Sequence, residues 1–498
     1  MAETAACADA TPVPADTARN AWRPWAGLAV MLTGTFMAVL DVFIVNIAIP
    51  DMRGTLEASF AELQFVIAAY GLTYAVMLIT GGRLGDIFGR RRMFMAGLAG
   101  FTLASLACGL APTAPVLIGS RILQGLAAAV LSPQVFAMMR VGFTNDRQRA
   151  TAFACLGVVY GLSSVSGQLL GGLLVEANLW GLGWRPVFLI NLPLGLIALI
   201  AAPLLIPESR NPEARRLDLR GVAMSAGGLF LLLFPLIEGR EAGWPAWAFG
   251  LLALSVPVLA AFAWDQQRKS RRAHHGHAHH TPGPSPLLEM RLFRNPVFAL
   301  GVLIVLAFTS TQSAFYLSLS LTLQNGLHHT PLQAGLVFAP LAVAFMAVSL
   351  LAGRIAGRYR HGMLIGGAAL VALAFLAIGF TAWQDGATLV SIRLVPALVL
   401  IGIGSGFFMT PLLNAILSSV PGPDSGAASG MITTMQQTGS AFGIAVVGIL
   451  FFGRLDAGGP AAYEQALALA ALYGAGGCGL AALLLLRLWH RQRRPVAA

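Results

Sequence analysis

Asp41 stands inside an apolar run from Trp25 to Pro50. A carboxylate at that depth in hydrocarbon costs ~2.5–3.5 kcal/mol on insertion scales, so it persists only with a partner, a cavity or a proton. Arg121 and Gln124 lie in another apolar run, three residues apart, and so share one face of a helix. Asp41 falls eight residues before the end of its run and Arg121 seven after the start of its own. At ~1.5 Å per residue, both sit about 10–12 Å from the same side. The chemistry such a pair offers is reversible protonation. Burial disfavours the ionised carboxylate and a nearby guanidinium favours it, so a change in spacing or hydration loads or releases a proton. Candidate small-molecule contacts in the apolar segments are Asn46, Tyr70, Gln124, Tyr160, Tyr316, Gln436 and Gln437, with Phe36, Phe315, Phe407 and Asn414 as weaker ones. The adjacent amides Gln436 and Gln437 carry most weight, because mid-segment they must find polar company. Aromatic faces suit flat or cationic compounds.

These residues need a membrane scaffold. Of the 498 residues, 57% are hydrophobic and only 11% charged, against roughly 25% charged in soluble domains. Mean hydropathy is +0.74. Fourteen apolar segments are long enough to cross ~30 Å of hydrocarbon. They fall at 25–49, 62–82, 93–112, 114–138, 149–175, 187–206, 219–238, 247–264, 297–323, 332–352, 363–384, 388–413, 427–452 and 466–488. The seventh and eighth are interrupted by Pro235, Glu238, Pro245 and Pro257. Backbone groups in lipid must bond within their own segment, so an all-α integral membrane fold follows. Most of the 32 basic residues fall on one side if both termini are cytoplasmic. That bias explains the net charge of +11 without a nucleic acid. The four cysteines are widely spaced, without a disulfide or metal pattern. The start of the chain lacks the basic and apolar regions of a signal peptide.

The loop at 82–90, Gly-Arg-Leu-Gly-Asp-Ile-Phe-Gly-Arg, has a degraded copy at 353–360. Two six-helix bundles with an inserted helix pair follow, an architecture typical of secondary transporters, whose sites lie between the halves. The expected organisation is a disordered cytoplasmic tail (1–24), a first bundle (25–206), a loop with two inserted helices (207–265), a linker (266–296), a second bundle (297–488) and a short tail (489–498). The linker holds His274, His275, His277, His279 and His280. No acid or cysteine accompanies them, so a solvated linker is the reading and no metal is expected.

GRLGDIFGRRR, Gly82 to Arg92, resembles the loop motif of the major facilitator superfamily. Its conformational residues here are Gly82, Leu84, Asp86, Gly89, Arg90 and Arg91, with Asp86 available to cap a helix or pair with an arginine. LDVFIVNIAIP (40–50), RILQGLAAAVLSP (121–133), GWRPVFLINLPLG (183–195), PLLEMRLFRNPVF (286–298) and SGMITTMQQTGSAFGIA (429–445) resemble fourteen-span drug:proton antiporters of the EmrB/QacA type. In the family's antiporter helix, Gly167, Gly171 and Gly172 are kept, while Gln168 stands at the usual proline and Phe65 at the usual tryptophan of the second span. Gly157, Gly161, Gly167 and Gly171 offer close helix approach.

The resemblance implies antiport of hydrophobic or cationic drug-like compounds against protons, with no cofactor, and places the helices of Asp41 and Arg121 side by side. One buried carboxylate suggests a simple coupling stoichiometry. One pH unit plus 100 mV supplies about 3.7 kcal/mol per proton. That sustains an accumulation of about several hundredfold for a neutral cargo. Export of an endogenous metabolite is the main alternative; symport and a non-transporting receptor rank below it, and a periplasmic adaptor is left open. An enzyme is excluded by the absence of a nucleophile–base set or phosphate loop from the apolar segments.

Overall fold

The computed structural model describes residues 22–143, 145–210, 218–275, 286–287, 290–420, 425–459 and 461–493. Thirteen long helices carry fourteen candidate membrane spans among the described residues. The first bundle contains α1 (Arg23–Leu56), α2 (Phe60–Phe88), α3 (Arg90–Gly109), α4 (Ala114–Gly142), α5 (Asp146–Ala177) and α6 (Asn191–Leu205). The inserted pair is α7 (Leu219–Glu241) and α8 (Ala246–His275). The second bundle contains α9 (Pro296–Leu321), α10 (Pro331–Asp385), α11 (Val395–Ser418), α12 (Ser425–Asp456) and α13 (Ala462–Arg493).

Helix α10 is 55 residues long and holds the tenth and eleventh spans, Pro331–Ala352 and Gly362–Thr388. Leu341 and Gly367 both meet the Gly402–Gly404 stretch of α11 within 4 Å of a built Cβ. A straight helix would hold them ~39 Å apart, so the chain folds back between them. The degraded loop copy at 353–360 falls at this return, outside the described side chains. The tail at 1–21 and His277, His279 and His280 likewise lie outside the described residues, and the side chains of His274 and His275 are not described. Helix α8 runs on to His275 and α13 to Arg493, beyond the ends expected at 264 and 488. Pro235 and Pro257 sit inside α7 and α8 and do not end them.

Each bundle has its own apolar core, and a third core joins them. That joint core takes Ile44, Val45, Ala48, Ile49 and Met52 from the late part of α1, Leu317 and Leu321 from the end of α9, and Phe451 and Phe452 from α12. It therefore lies at the end of the molecule away from the described chain ends. Polar contacts between bundles gather there too. Ser320 donates to the Asn46 carbonyl at 2.7 Å, Gln324 to the Ile47 carbonyl at 3.0 Å, and the Leu332 amide to Glu176 at 3.2 Å. The inserted pair covers one flank. Leu233 and Ile237 of α7 pack with Ala61 and Ala68 of α2 and Ala441 and Ala445 of α12.

At the opposite end the pair is pinned by a polar cluster. Lys269 pairs with Asp218 at 2.6 Å and with Asp265, and Gln266 donates to Asp218 at 2.9 Å. The Gln266 side-chain carbonyl accepts the Leu287 amide at 2.6 Å, which ties the linker's far end to α8. Burial alone would raise the Asp218 carboxyl, but the hydrogen bonds from Gln266, Lys269 and the Gly221 amide outweigh it and hold it below its ordinary value. A lowered carboxyl stabilises the fold above its unfolded value, and that contribution is lost as pH falls through the folded one.

Helix contact depends on absent side chains at a few points. A Cβ on Gly81 would lie 2.0 Å from the Ala129 carbonyl oxygen of α4, and one on Gly97 would lie 2.7 Å from the Leu131 amide. Gly157, expected from its spacing to serve the same way, has nothing within 4 Å of a built Cβ. Gly81→Val should therefore cost about 3 kcal/mol or more through overpacking against backbone. Gly157→Ala should be neutral or stabilise by up to about 1 kcal/mol. Thermal unfolding of the detergent-purified protein distinguishes the two.

Candidate functional site

The Asp41 carboxylate is fully buried and Arg121 is 1% exposed. The Arg121 guanidinium donates through Nη1 to Asp41 Oδ2 and to Gln124 Oε1, the latter at 2.6 Å, and through Nε to the Val66 carbonyl at 2.9 Å. Gln124 Nε2 donates to Asp41 Oδ1 and to Ser105 Oγ, each at 2.9 Å. Asn191 Nδ2 reaches the same Ser105 hydroxyl at 3.3 Å. Cys108 closes the set with a thiol 3.6 Å from Gln124 Oε1. The three residues singled out by spacing thus form one network, and their depths match as the residue count predicts. Ser105, Asn191 and the Val66 carbonyl complete it. They were invisible beforehand because serine, asparagine and backbone groups in apolar runs carry no distinctive pattern.

Both carboxylate oxygens are partnered, which makes the buried ion pair tolerable. Breaking it by removing one partner leaves an uncompensated charge and costs ~3–5 kcal/mol. Five helices contribute: α1, α2, α3, α4 and α6. The guanidinium also lies 4.4 Å from the Tyr70 ring centre and 5.7 Å from that of Phe188. Tyr70 stacks on Tyr74 with ring centres 6.0 Å apart, and its hydroxyl donates to the Ala38 carbonyl at 3.2 Å.

Tyr70 also lines a cavity of ≈ 280 Å³ between the bundles. Six of the seven substrate candidates line it: Asn46, Tyr70, Tyr160, Tyr316, Gln436 and Gln437. Gln124 does not, because its amide is consumed by the ion-pair network. Of the weaker candidates, Phe315 is fully buried against Phe375, and Phe36, Phe407 and Asn414 are not among the lining residues. The sequence reading missed Gln312, Ser313, Ser440 and Tyr74 in the wall. The polar run from Thr309 to Ser313 inside an apolar segment was the available signal for Gln312.

The loop motif closes on the segment after α6. Asp86 pairs with Arg90 at 3.0 Å, the arginine alternative of the two roles expected for it. The Arg90 amide donates to the Ser209 carbonyl at 2.8 Å, and Arg91 reaches the Ile206 carbonyl at 3.2 Å. Glu208 accepts the Arg91 amide at 3.0 Å and stands 3.8 Å from the Arg91 and Arg92 guanidinium nitrogens. Gly89, with φ +105°, precedes α3 and offers no side chain to cap it. Glu208 supplies that cap from a distant segment. A Cβ on Gly89 would lie 2.8 Å from the Glu208 carboxylate. Gly82 lies against Pro133 of α4, and Leu84 is half-buried over the α3–α4 groove.

In α5, Gly167 and Gly171 face α1, where built Cβ atoms would lie 2.7 Å from Phe43 Cβ and 3.0 Å from Ile44. Gly172 turns to the second bundle, 2.5 Å from the Pro331 carbonyl, and Gly335 of α10 would meet the Gln168 carbonyl at 2.6 Å. Gln168 is buried at this seam with its Oε1 unpartnered.

The family model described as Major Facilitator Superfamily matches residues 31–444. The chain belongs to that superfamily. It is 38% identical over 444 residues to a protein of Streptomyces coelicolor named "Probable actinorhodin transporter", covering 89% of this chain and 75% of the relative. It is 36% identical to the "Cephamycin export protein CmcT" of Amycolatopsis lactamdurans, covering 92% of this chain and 90% of that one. Among solved structures, the xylose transporter XylE from E. coli superposes with a TM-score of 0.61 at 13% identity, covering 93% of this chain and 99% of that one. The chain is a multi-pass membrane protein of the transporter class and not an enzyme.

Glu208→Ala should lower stability by about 1 kcal/mol through loss of the α3 cap. Glu208→Gln, which keeps an acceptor and loses only partly solvated ion pairs, should cost less than about 0.5 kcal/mol. Thermal melts of the two purified variants check the order.

Proposed function

We propose that this protein exports hydrophobic drug-like or antibiotic compounds across the plasma membrane in exchange for protons, with both chain ends in the cytoplasm. The observation that carries the reading is the sealed Asp41–Arg121–Gln124 network one tyrosine ring away from an inter-bundle cavity. The arginine bias supports the orientation. With that orientation, the joint core closes the outer side. The cavity then belongs to a state loaded from the cytoplasm.

In this state Asp41 is paired with Arg121, accepts from Gln124 and is fully buried. Rocking of the bundles about the cavity opens the outer side and moves Tyr70 off the guanidinium. Water then reaches Asp41, and protonation removes the charge that held Arg121. A proton taken up outside and released inside returns the empty carrier. Partners in this reading are the small-molecule cargo, protons and the bilayer. The names of the two Streptomyces and Amycolatopsis relatives favour an antibiotic as natural cargo, which joins drug export with metabolite export.

Asp41→Asn should abolish acceleration of transport by an imposed pH gradient in proteoliposomes while substrate counterflow at zero gradient persists. Because the variant strands a buried guanidinium, Asp41→Asn with Arg121→Gln is the control that removes both charges. Gradient-driven transport equal to wild type in either variant refutes the coupling role.

A further inference from the structure

The cavity also states what it will carry. Among its described lining residues none is charged. Asp41, the carboxylate behind its wall, is engaged by Arg121 and Gln124 and has no exposed atom. A lipophilic cation entering from water would leave its hydration without meeting a counter-ion, and that cost is the dominant penalty for burying charge. Cation–π contact with tyrosines would offset only part of it. The Tyr70 ring is already engaged by the Arg121 guanidinium at 4.4 Å. When Asp41 is protonated in the transport cycle, Arg121 loses its counter-ion and the field behind the wall turns more positive. A cationic cargo is then disfavoured in both protonation states.

The wall instead offers neutral hydrogen-bonding groups around aromatic faces. Gln312 is 8% exposed; its Nε2 donates to Ser405 at 3.0 Å and its Oε1 has no partner. A buried acceptor left unmade carries a desolvation penalty that a ligand donor would relieve. The Tyr160 and Tyr316 hydroxyls and the Gln436 and Gln437 amides add donors and acceptors to the wall. Several cavity groups are spent within the protein: Tyr70 on Ala38, Tyr74 on Ser132, and Ser313 on Ser440 at 2.7 Å. Phe43, Tyr316 and Phe308 provide flat apolar surface beside them.

We infer that the cavity selects uncharged, planar aromatic compounds carrying both hydroxyl and carbonyl oxygens, with a ligand O–H donated to Gln312 Oε1, and rejects lipophilic cations. This rests on the export reading and narrows the hydrophobic-or-cationic class to one chemistry. The selecting feature is the absence of a free carboxylate from the wall. Coupling is then indirect, because proton and cargo occupy separate sites that share contact with Tyr70.

The test uses full-length protein in proteoliposomes with 2-hydroxyanthraquinone, whose hydroxyl lies away from the ring carbonyls and is free to donate, as the neutral probe in mildly acidic buffer, and tetraphenylphosphonium as the cation. The anthraquinone should be transported, and the cation should be slower by about tenfold or more, the loss expected for an unpaired buried charge. Gln312→Leu should weaken anthraquinone binding, read from its absorbance on the purified protein, by about tenfold. It should leave the response of residual transport to a pH gradient unchanged. Gln312→Glu assayed at about pH 9, where a carboxylate is ionised, should gain tetraphenylphosphonium binding.

Equal transport of the cation by wild type, or unchanged anthraquinone binding by Gln312→Leu, overturns the selectivity and leaves the exporter reading standing. Failure of Gln312→Glu to gain the cation also counts against wall charge as the selector. Transport of neither probe overturns the inference. It reaches the exporter reading only if a broad panel of drugs also elicits no proton flux. A folded control is given by an unchanged melting temperature in each variant.

Discussion

A carboxylate and a guanidinium held together out of water organise the first bundle. Neither charge is tolerable alone at that depth, and the pair is tolerable because both carboxylate oxygens and the guanidinium are hydrogen-bonded. Gln124 makes the arrangement work. Its carbonyl takes a second Arg121 proton and its amide takes the second Asp41 oxygen, so it bridges the ions as well as flanking them. The Ser105 hydroxyl then anchors Gln124 to α3, and the Val66 carbonyl anchors Arg121 to α2. The helices are thereby fixed relative to one another by electrostatics at their centre, while their ends are free to be fastened by other means.

Those other means differ at the two ends. Away from the chain ends, the bundles share an apolar core and exchange hydrogen bonds between backbone and side chains. The α5–α10 seam there depends on Gly172 and Gly335, which bring backbone against backbone. Near the chain ends, one fastening ties the Arg90–Arg91 loop to Glu208 and Ser209, and another, Lys269 to Asp218, lies within the inserted pair. The described polar contacts between the bundles lie mostly at the end away from the chain ends, with the Thr434 hydroxyl donating to the Ala75 carbonyl at 3.2 Å as a further one. Gln168 lies at the α5–α10 seam with an unsatisfied oxygen. A proline at its position would remove this orphan, whereas glutamine leaves a buried acceptor without a partner.

The sequence carried the architecture clearly because the membrane leaves few alternatives. Long apolar blocks must be helices, and Asp41 and Arg121 stand out because charge in such blocks is rare. The cavity was partly legible for the same reason: Gln436 and Gln437 are anomalous in a buried helix and line it. What could not be read was direction. Gln124 and Gln312 are equally anomalous as residue types, yet one completes an ion pair and the other faces the cavity. Only the rotation of α4 and α9 distinguishes them. Gly157 and Gly161 show the same limit, since identical residues four apart face open space and Met346 respectively. Glu208 was hidden by distance along the chain, lying 117 residues from the amide it caps.

If Asp41 is the proton site, as proposed, its place behind the cavity wall constrains how exchange is enforced. Where cargo and proton share one carboxylate, direct competition couples them, and the cargo must be a cation. Here Tyr70 touches both, lying against the Arg121 guanidinium and lining the cavity. Coupling must pass through the position of that ring and of the helices that carry it. Protonation of Asp41 weakens its hold on Arg121, and the guanidinium's remaining interactions, with Val66, Gln124 and the Tyr70 ring, then set where α2 sits relative to α4. Cargo in the cavity biases the same element. A shared movable element with two discrete arrangements is sufficient for linkage, because each ligand shifts the equilibrium by its own difference in affinity between them. Neutral molecules can then be driven by protons although they never meet the charge that does the driving.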